Sequence, residues 1–415
     1  SLRESLDMKI TVLFLLACSL AISADNHFST DKIDPALAGM DPALLARIPV
    51  RMKEFVDRGK TAGIVTLVAR HGHIASLDAV GFQDVEHKIP MRTDSIFRLM
   101  SVTKPVTCAG VMVLVDDGRL SLLDPVEKFV PEFKNIQVNP CGTLVGYDCQ
   151  LVPPSRPFTV LDLMTHTSGL GESGRRDGSE PPPNSRAELI ARAASRARLL
   201  FQPGTAWNYS NFGIAVLGRI IEVVSGKSYD QFMDESIFQP LEMKDTFYDV
   251  PQDKANRVAT VYTYEDGKLR PLVRRVPPGP MISSPDSGLL STAADLARFN
   301  QMMLNKGTLN GKRILSAAAV ETMTTSQTEN MRAGYAPGVG QGFGYEVVTR
   351  PLGMYRYTSI GSFEKAGVYR TYVWVDPAKD LVGVILMQRN TGGASADLAD
   401  EVNIFMAMAA AAIDH

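Results

Sequence analysis

The sequence predicts an α/β (α+β) protein with one antiparallel β-sheet flanked by helices and a mainly helical lobe inserted between two groups of strands. Segments rich in β-branched residues occur near both ends of the chain, whereas the middle combines helical patterns with long Gly- and Pro-rich loops. A last helical segment follows the C-terminal strands. One sheet built from both chain ends, with helices on its faces, buries these segments most simply.

The N-terminal elements are a helix and a β-hairpin. A helix is expected from Asp41 to Asp57, where Asp41 precedes a proline that suits the first helical turn. The segments Ile64–Arg70 and His73–Val80 are rich in residues that favour strands, and the short His71-Gly72 link between them indicates a hairpin. This hairpin supplies the first strands of the predicted sheet.

The helical middle and the C-terminal strands complete the pattern. An apolar stretch from Val102 to Val115 predicts a buried helix, and a second helix from Asn211 to Val224 ends at a glycine. The glycine-rich run from Gly338 to Gly344 does not match a dinucleotide fingerprint and is expected to be a loop. The later β-rich segments and the final helix are Gly344–Thr349, Tyr369–Val375, Leu381–Met387 and Asp397–Ala412.

This order of elements divides the chain into three parts. Residues 1–24 are interpreted as an N-terminal remnant and signal peptide. Residues 35–120 together with residues 285–415 are predicted to form the α/β domain. Residues 121–284 are predicted to form the helical domain.

The segment after Met8 has the pattern of an export signal, since one lysine precedes a short apolar run and then small residues. The run is shorter than the roughly 20 apolar residues of a membrane-spanning helix, so no transmembrane span is expected. The protein is therefore predicted to be exported, either periplasmic or secreted. The alternative is a lipoprotein, because Leu15–Cys18 resembles a lipobox in which Cys18 would carry the lipid anchor. In an oxidising compartment, Cys141 and Cys149 are candidates for a disulfide.

The composition gives no indication of a nucleic-acid partner, a metal or a cofactor. The chain has 43 basic and 45 acidic residues and a net charge of -2, without a long run of either sign. Its histidines and cysteines form neither a His-Glu-x-x-His nor a Cys-x-x-Cys pair, so no metal site is expected. No cofactor is expected either.

Candidate chemistry begins with Ser-x-x-Lys, because the chain has no Gly-x-Ser-x-Gly motif. The pattern occurs at Ser29, Ser101 and Ser362. Only Ser101 opens a predicted helix, on which Lys104 faces the same way and can take the serine proton. Ser29 lies in the N-terminal tail, and Ser362 precedes a strand, where residues i and i+3 point to opposite faces. Taken alone, Ser101 also fits a serine that merely caps a helix.

Two further groups favour function. Tyr209 and Asn211 immediately precede and open a predicted helix; a loop tyrosine can relay a proton, and an asparagine both donates and accepts hydrogen bonds. The segment Lys365–Val368 lies just before a predicted strand, and its cation, small residue and glycine would let a substrate backbone lie against the strand edge. Each group alone also fits an ordinary structural role. In this order, together with Ser101, they favour catalysis.

The sequence resembles the serine β-lactamase-related family, which includes class C β-lactamases, DD-peptidases and family VIII carboxylesterases. The resemblance implies a β-lactamase/transpeptidase-like fold. It runs from about Leu44 to Met408 and is carried by Ile96–Thr107, Leu163–Leu170, Tyr209–Gly213, Pro240–Phe247, Ser287–Asp295 and Val375–Pro377.

The third motif departs from the family pattern. β-Lactamases of this type favour Lys-Thr-Gly and family VIII esterases often show Trp-Gly-Gly, whereas this chain has Lys365-Ala366-Gly367. Arg370 also stands where a small residue is expected. Both departures concern the substrate.

The resemblance implies a role for each candidate residue. Ser101 would be the acylated nucleophile, and Lys104 and Tyr209 would share the duties of general base and acid. Asn211 would orient them. The backbone N–H groups of Ser101 and Val368 would form the oxyanion hole. Lys365 and Gly367 would be supporting residues of the site, and His166 would be structural.

The function that this resemblance favours first is a carboxylesterase acting on small acyl esters, with weak β-lactamase side activity because Ala366 replaces a hydroxyl-bearing residue. The alternative is a class C-like β-lactamase or D-amino-acid peptidase, in which Lys365 would hold a substrate carboxylate. Two alternatives belong to another functional class: a non-hydrolytic penicillin-binding sensor and a transacylase. In each case, the partner is a small-molecule ester or β-lactam.

Overall fold

Two β-rich regions far apart in sequence pair in one sheet. The computed structural model describes residues 27–142, 149–172, 181–265, 267–272, 282–328, 331–390 and 400–414. The strands along the sheet are β1 (Ser29–Lys32), β2 (Gly63–Arg70), β3 (His73–Asp84), β4 (Val339–Gln341), β5 (Glu346–Val348), β6 (Phe363–Gly367), β7 (Thr371–Asp376) and β8 (Leu381–Leu386). Their spatial order is β1-β3-β2-β8-β7-β6-β5-β4, so the two regions meet where β2 pairs with β8.

The pairing confirms the predicted fold class with one difference at an edge. The pairs from β3 through β2, β8, β7, β6 and β5 to β4 are antiparallel. The edge strand β1 instead runs parallel to β3. Short strands outside this path are Ile89–Pro90, Phe97–Arg98, Tyr262–Glu265, Lys268–Pro271, Leu290–Ser291, Thr308–Leu309, Lys312–Arg313 and Arg389–Asn390.

Ten α-helices lie within the described residues. They are α1 (Pro42–Leu45), α2 (Arg47–Asp57), α3 (Thr103–Asp116), α4 (Val160–Met164), α5 (Arg186–Arg196), α6 (Asn211–Ser225), α7 (Tyr229–Met233), α8 (Ala293–Leu304), α9 (Ala317–Thr324) and α10 (Asp400–Ala411). Shorter helical turns are Pro35–Ala38, Met100–Val102, Val126–Lys128, Pro131–Phe133, Asp234–Phe238, Gln252–Arg257, Gly353–Tyr357 and Pro377–Lys379.

The sheet has an apolar core on each face. Successive strand residues point to opposite sides, so neighbouring residues of one strand contribute to different cores. On one side, Val65 and Leu67 of β2 join a core that contains α3, α6 and α8. On the other side, Ile64 and Val68 join a second core that contains α2 and α10. The first core continues into the helical lobe through α4 and α6, so sheet and lobe share one apolar interior. The proposed domain boundaries themselves remain predictions.

Three local predictions were wrong, each for a physical reason. The expected helix from Asp41 to Asp57 is two helices divided at Ala46, because Pro49 has no N–H to donate to the carbonyl four residues earlier. The glycine-rich run is not wholly a loop, since β4 lies within it and pairs with β5. The strand expected from Tyr369 starts at Thr371, because a turn closes first: Arg370 N–H donates to the Gly367 carbonyl at 2.8 Å.

The export prediction cannot be compared with the fold. The signal-like segment and Cys18 lie outside the described residues. Across the part of the chain that the structure describes, no helix is both long and apolar enough to cross a membrane.

Cys141 and Cys149 are joined as a disulfide, with their Cα atoms 6.0 Å apart, which lies within the usual Cα separation of about 4.4–6.8 Å. We expect protein recovered by export to contain this bond. Peptide mapping without reductant should find the two cysteines linked and Cys108, which is buried in α3, as a free thiol. Two free thiols at Cys141 and Cys149 in unreduced, exported protein would contradict the prediction.

Candidate active site

The turn that leads into α3 holds Ser101 in a constrained position. Met100–Val102 forms a 3₁₀ turn, and Met100 has a φ of 53°, a left-handed conformation that costs a non-glycine residue about 1–3 kcal/mol. Two hydrogen bonds hold the backbone of Leu99, which directly precedes this turn. Its N–H donates to the Leu289 carbonyl at 2.9 Å, and its carbonyl accepts from the Thr371 hydroxyl at 2.7 Å. These bonds support the strained turn that presents Ser101.

The Ser101 hydroxyl lies between two proton-carrying groups. Lys104 Nζ is 3.0 Å from Ser101 Oγ, and the Tyr209 hydroxyl is 2.9 Å from it. The lysine reaches the serine because it follows it by three residues at the start of the helix. The structure thus brings together the three residues predicted from sequence as the reacting group.

Lys104 is fully buried, and its ammonium needs internal partners. Besides Ser101 Oγ, Nζ lies 2.8 Å from Asn211 Oδ1 and 2.9 Å from the Asp286 carbonyl oxygen. The three acceptors match the three N–H groups of an ammonium. Asn211 is fixed in turn, since its backbone N–H and its Nδ2 both donate to Glu172 Oε1, at 2.9 and 3.1 Å.

His166 supports the loop that carries Tyr209. Its ring lies 4.7 Å from the Tyr209 ring, and its Nδ1 accepts a hydrogen bond of 3.3 Å from the Ser210 N–H. Burial, aided by the positive charges of Lys104 and Lys365, lowers the pKa of His166 well below its usual value. A neutral imidazole that accepts a backbone hydrogen bond fits the structural role predicted for it.

The third motif forms the end of β6 and does not merely precede a strand. The pairing of β6 with β5 stops at Glu364, so the backbone of Lys365–Gly367 has no ladder partner on that side in the described structure. A Cβ on Gly367 would lie 2.3 Å from the Leu99 carbonyl oxygen, so only glycine allows this strand to approach the Ser101 turn. Val368 is the first residue of the turn that follows β6 and comes directly after Gly367.

Lys365 lies in the cleft but is not free. Its Nζ is 5.0 Å from the centre of the Tyr209 ring, and Lys104 Nζ is 4.8 Å from it. Lys365 is 3% exposed and lies 3.6 Å from Glu346 Oε1. Glu346 was not identified from the sequence, because it comes near Lys365 through the pairing of β5 with β6, in which it lies opposite the preceding residue, Glu364.

An aromatic wall and a hydroxyl network were also missed. Trp207 and Tyr335 flank Tyr209, with the Tyr209 and Tyr335 ring centres 5.4 Å apart and those of Trp207 and Tyr335 5.7 Å apart. Behind the site, Thr107 donates to the Pro285 carbonyl at 2.6 Å, next to the Asp286 carbonyl that holds Lys104. Thr107 follows Lys104 by three residues, a spacing that could have indicated a shared helix face.

Comparison with known proteins shows which family the chain belongs to. The β-lactamase family model matches residues 51–405. The chain therefore belongs to the serine β-lactamase-related family and is a serine hydrolase.

Its relatives include a mycobacterial protein and an esterase. Protein Rv1367c of Mycobacterium tuberculosis is 34% identical over 81% of this chain and 88% of its own length. Esterase EstB of Burkholderia gladioli is 30% identical over 88% of this chain and 96% of its own length. The fold is shared with EstCE1, a hydrolase with promiscuous acyltransferase activity, at a TM-score of 0.71 and 24% identity over 90% of this chain and 99% of EstCE1.

Thr107→Val should lower the rate at which Ser101 reacts with a serine-directed phosphonate by about tenfold, which corresponds to about 1.4 kcal/mol. The valine keeps the shape but removes the hydrogen bond to Pro285, so the neighbouring Asp286 carbonyl is no longer held against Lys104. Stopped-flow labelling with a fluorescent phosphonate measures the rate.

Tyr248→Phe is the matched control for this variant. It removes the hydroxyl that lies 2.6 Å from Tyr229 OH in the same buried chain of hydroxyls, but it leaves the bond from Thr107 to Pro285 intact. We expect a loss of thermal stability with little change in labelling rate. Equal slowing in both variants would show that Thr107 acts only through general stability.

Proposed function

We propose that this serine hydrolase is a carboxylesterase that cleaves small acyl esters through an acyl-enzyme on Ser101. The observation that carries the proposal is the placement of Ser101 Oγ within hydrogen-bond distance of both Lys104 Nζ and the Tyr209 hydroxyl. The likeness to Esterase EstB along nearly the full length of that protein supports an ester as the substrate.

In the acylation step, Ser101 Oγ attacks the ester carbonyl carbon while the hydroxyl proton passes to the Lys104–Tyr209 pair, which enters this step one proton short, as a free amine or a phenolate. The oxygen of the tetrahedral intermediate takes the negative charge, and the backbone N–H groups of Ser101 and Val368 are the proposed donors to it. The start of α3 adds the positive end of its dipole. The bond to the alkoxy oxygen then breaks, and the alcohol leaves with the proton held by the pair.

Deacylation repeats the chemistry with water. The Lys104–Tyr209 pair takes a proton from the water molecule that attacks the acyl-enzyme, and Ser101 Oγ recovers a proton as the carboxylic acid leaves. Asn211 keeps Lys104 in place through both steps, because its Oδ1 is one of the three acceptors around Nζ.

A second candidate is a class C-like β-lactamase or D-amino-acid peptidase. The observation that favours it is Lys365, which lies beside Tyr209 in the cleft and is the group that would hold a substrate carboxylate. The pairing of Lys365 with Glu346 weighs against it. A panel of p-nitrophenyl esters run beside a chromogenic cephalosporin distinguishes the two, and we expect hydrolysis mainly of the esters.

We also propose export of the protein. The apolar segment after Met8 has the composition of a signal peptide, and the disulfide between Cys141 and Cys149 suits an oxidising compartment. A lipid anchor on Cys18 is the alternative. Mass spectrometry of the mature N-terminus from cells that export the protein separates the two.

Ser101→Ala should reduce the hydrolysis of p-nitrophenyl acetate by at least about 10³-fold, because the residual machinery cannot form the acyl-enzyme. Initial rates by absorbance, with circular dichroism as the folding check, measure the effect. Ser362→Ala is the matched control: Ser362 belongs to the third Ser-x-x-Lys pattern, is fully buried and should tolerate the loss of its hydroxyl. Normal turnover by Ser101→Ala would refute the proposed nucleophile.

A further inference from the structure

Lys365 occupies an unusual electrostatic position. Its Nζ lies between the Tyr209 ring, 5.0 Å away, and the Glu346 carboxylate, 3.6 Å away. Both charged side chains are buried, with 3% of the Lys365 side chain and 8% of the Glu346 side chain exposed. Charges this far from solvent are screened little by salt, so the pair influences the field at the neighbouring nucleophile.

The Glu346 carboxylate is held in place by backbone on its far side. Its Oε2 accepts a hydrogen bond of 3.5 Å from the Tyr335 N–H. Gly334 has a φ of 76°, and a Cβ there would lie 3.3 Å from Oε2. The segment Gly334-Tyr335, whose tyrosine also forms part of the aromatic wall, therefore closes over this carboxylate.

A second buried carboxyl lies nearby but carries little charge at neutral pH. Burial and the neighbouring Glu346 carboxylate raise the pKa of Glu364 to about 8. The Tyr355 hydroxyl donates a hydrogen bond to Glu364. This shift favours the neutral form of Glu364, and the carboxylate that lies within 4.0 Å of Lys365 Nζ is that of Glu346.

We propose that Glu346 is a specificity-determining residue: its carboxylate cancels the charge of Lys365, so that the cleft selects esters with a neutral acyl group and discriminates against acyl groups that carry a carboxylate. This inference rests on the proposed esterase function. Glu346 neutralises a lysine that could otherwise attract an anionic substrate.

The test compares two substrates that differ in one charge, p-nitrophenyl hydrogen adipate and p-nitrophenyl methyl adipate. The quantity measured is the ratio of kcat/KM for the anionic ester to kcat/KM for the neutral ester. The ratio should follow the net charge of the pair. Glu346→Gln, which leaves the pair at +1, should raise the ratio about tenfold, or about 1.4 kcal/mol.

Two further variants complete the cycle. Lys365→Met leaves the pair at −1 and should lower the ratio below that of the unmodified protein. The double variant restores a net charge of zero and should return the ratio to within about threefold of the starting value, because the ratio is expected to follow the net charge of the pair. Glu346→Asp, which keeps the charge, should behave like the unmodified protein.

Glu364→Gln is the matched control, because it changes a buried carboxyl on the adjacent strand that is already mostly protonated. It should leave the ratio unchanged within about twofold at pH 7. A rise as large as that of Glu346→Gln, an unmoved ratio in Glu346→Gln, or a double variant that stays high would each overturn the inference. If the proposed esterase function is wrong, neither ester would be hydrolysed by any variant. That result differs from the outcomes above, and it would overturn the inference as well.

Discussion

The buried ammonium of Lys104 is the constraint on which the site depends. A charged or polar amine removed from water costs several kcal/mol unless the protein supplies hydrogen-bond partners. The partners come from three segments: Ser101 on the same helix turn, Asn211 at the start of α6 in the helical lobe, and the Asp286 carbonyl before α8. These three segments therefore meet around this one atom.

Close backbone approaches fix the nucleophile relative to the sheet. A Cβ on Gly344 would lie 2.7 Å from Pro105 Cα, and one on Gly367 would lie 2.3 Å from the Leu99 carbonyl oxygen. The turn between β4 and β5 thus lies against the first turn of α3, and the end of β6 lies against the residue that precedes the Met100–Val102 turn. Because neither contact leaves room for a side chain, the strained turn at Met100 cannot relax without moving the strands themselves, which explains how it keeps its left-handed conformation.

The sequence alone could predict the parts of the site that depend on local spacing. Ser101 and Lys104 lie three residues apart on a helix, and Tyr209 and Asn211 flank a helix start, so short-range patterns were enough to identify them. Glu346 could not be found in this way. The strands pair Glu346 with Glu364, and the Glu346 carboxylate lies 3.6 Å from Nζ of Lys365, the first residue of β6 beyond that pairing. Local sequence spacing contains no information on either contact.

The same alternation changes the interpretation of the third motif. Lys365 and Gly367 face α3 and the cleft, whereas Ala366 packs against the core on the opposite side of the sheet, where Tyr372 is its partner across the strands. A hydroxyl at position 366 would point away from the cleft, so its absence does not account for weak recognition of a carboxylate, as the sequence had suggested. The charge balance around Lys365 is then the feature of this strand on which the proposed preference for neutral substrates rests. In the proposal, Glu346, a residue on a neighbouring strand and outside the motif, sets that balance, so the proposed substrate preference depends on the pairing of β5 with β6 as well as on the motif itself.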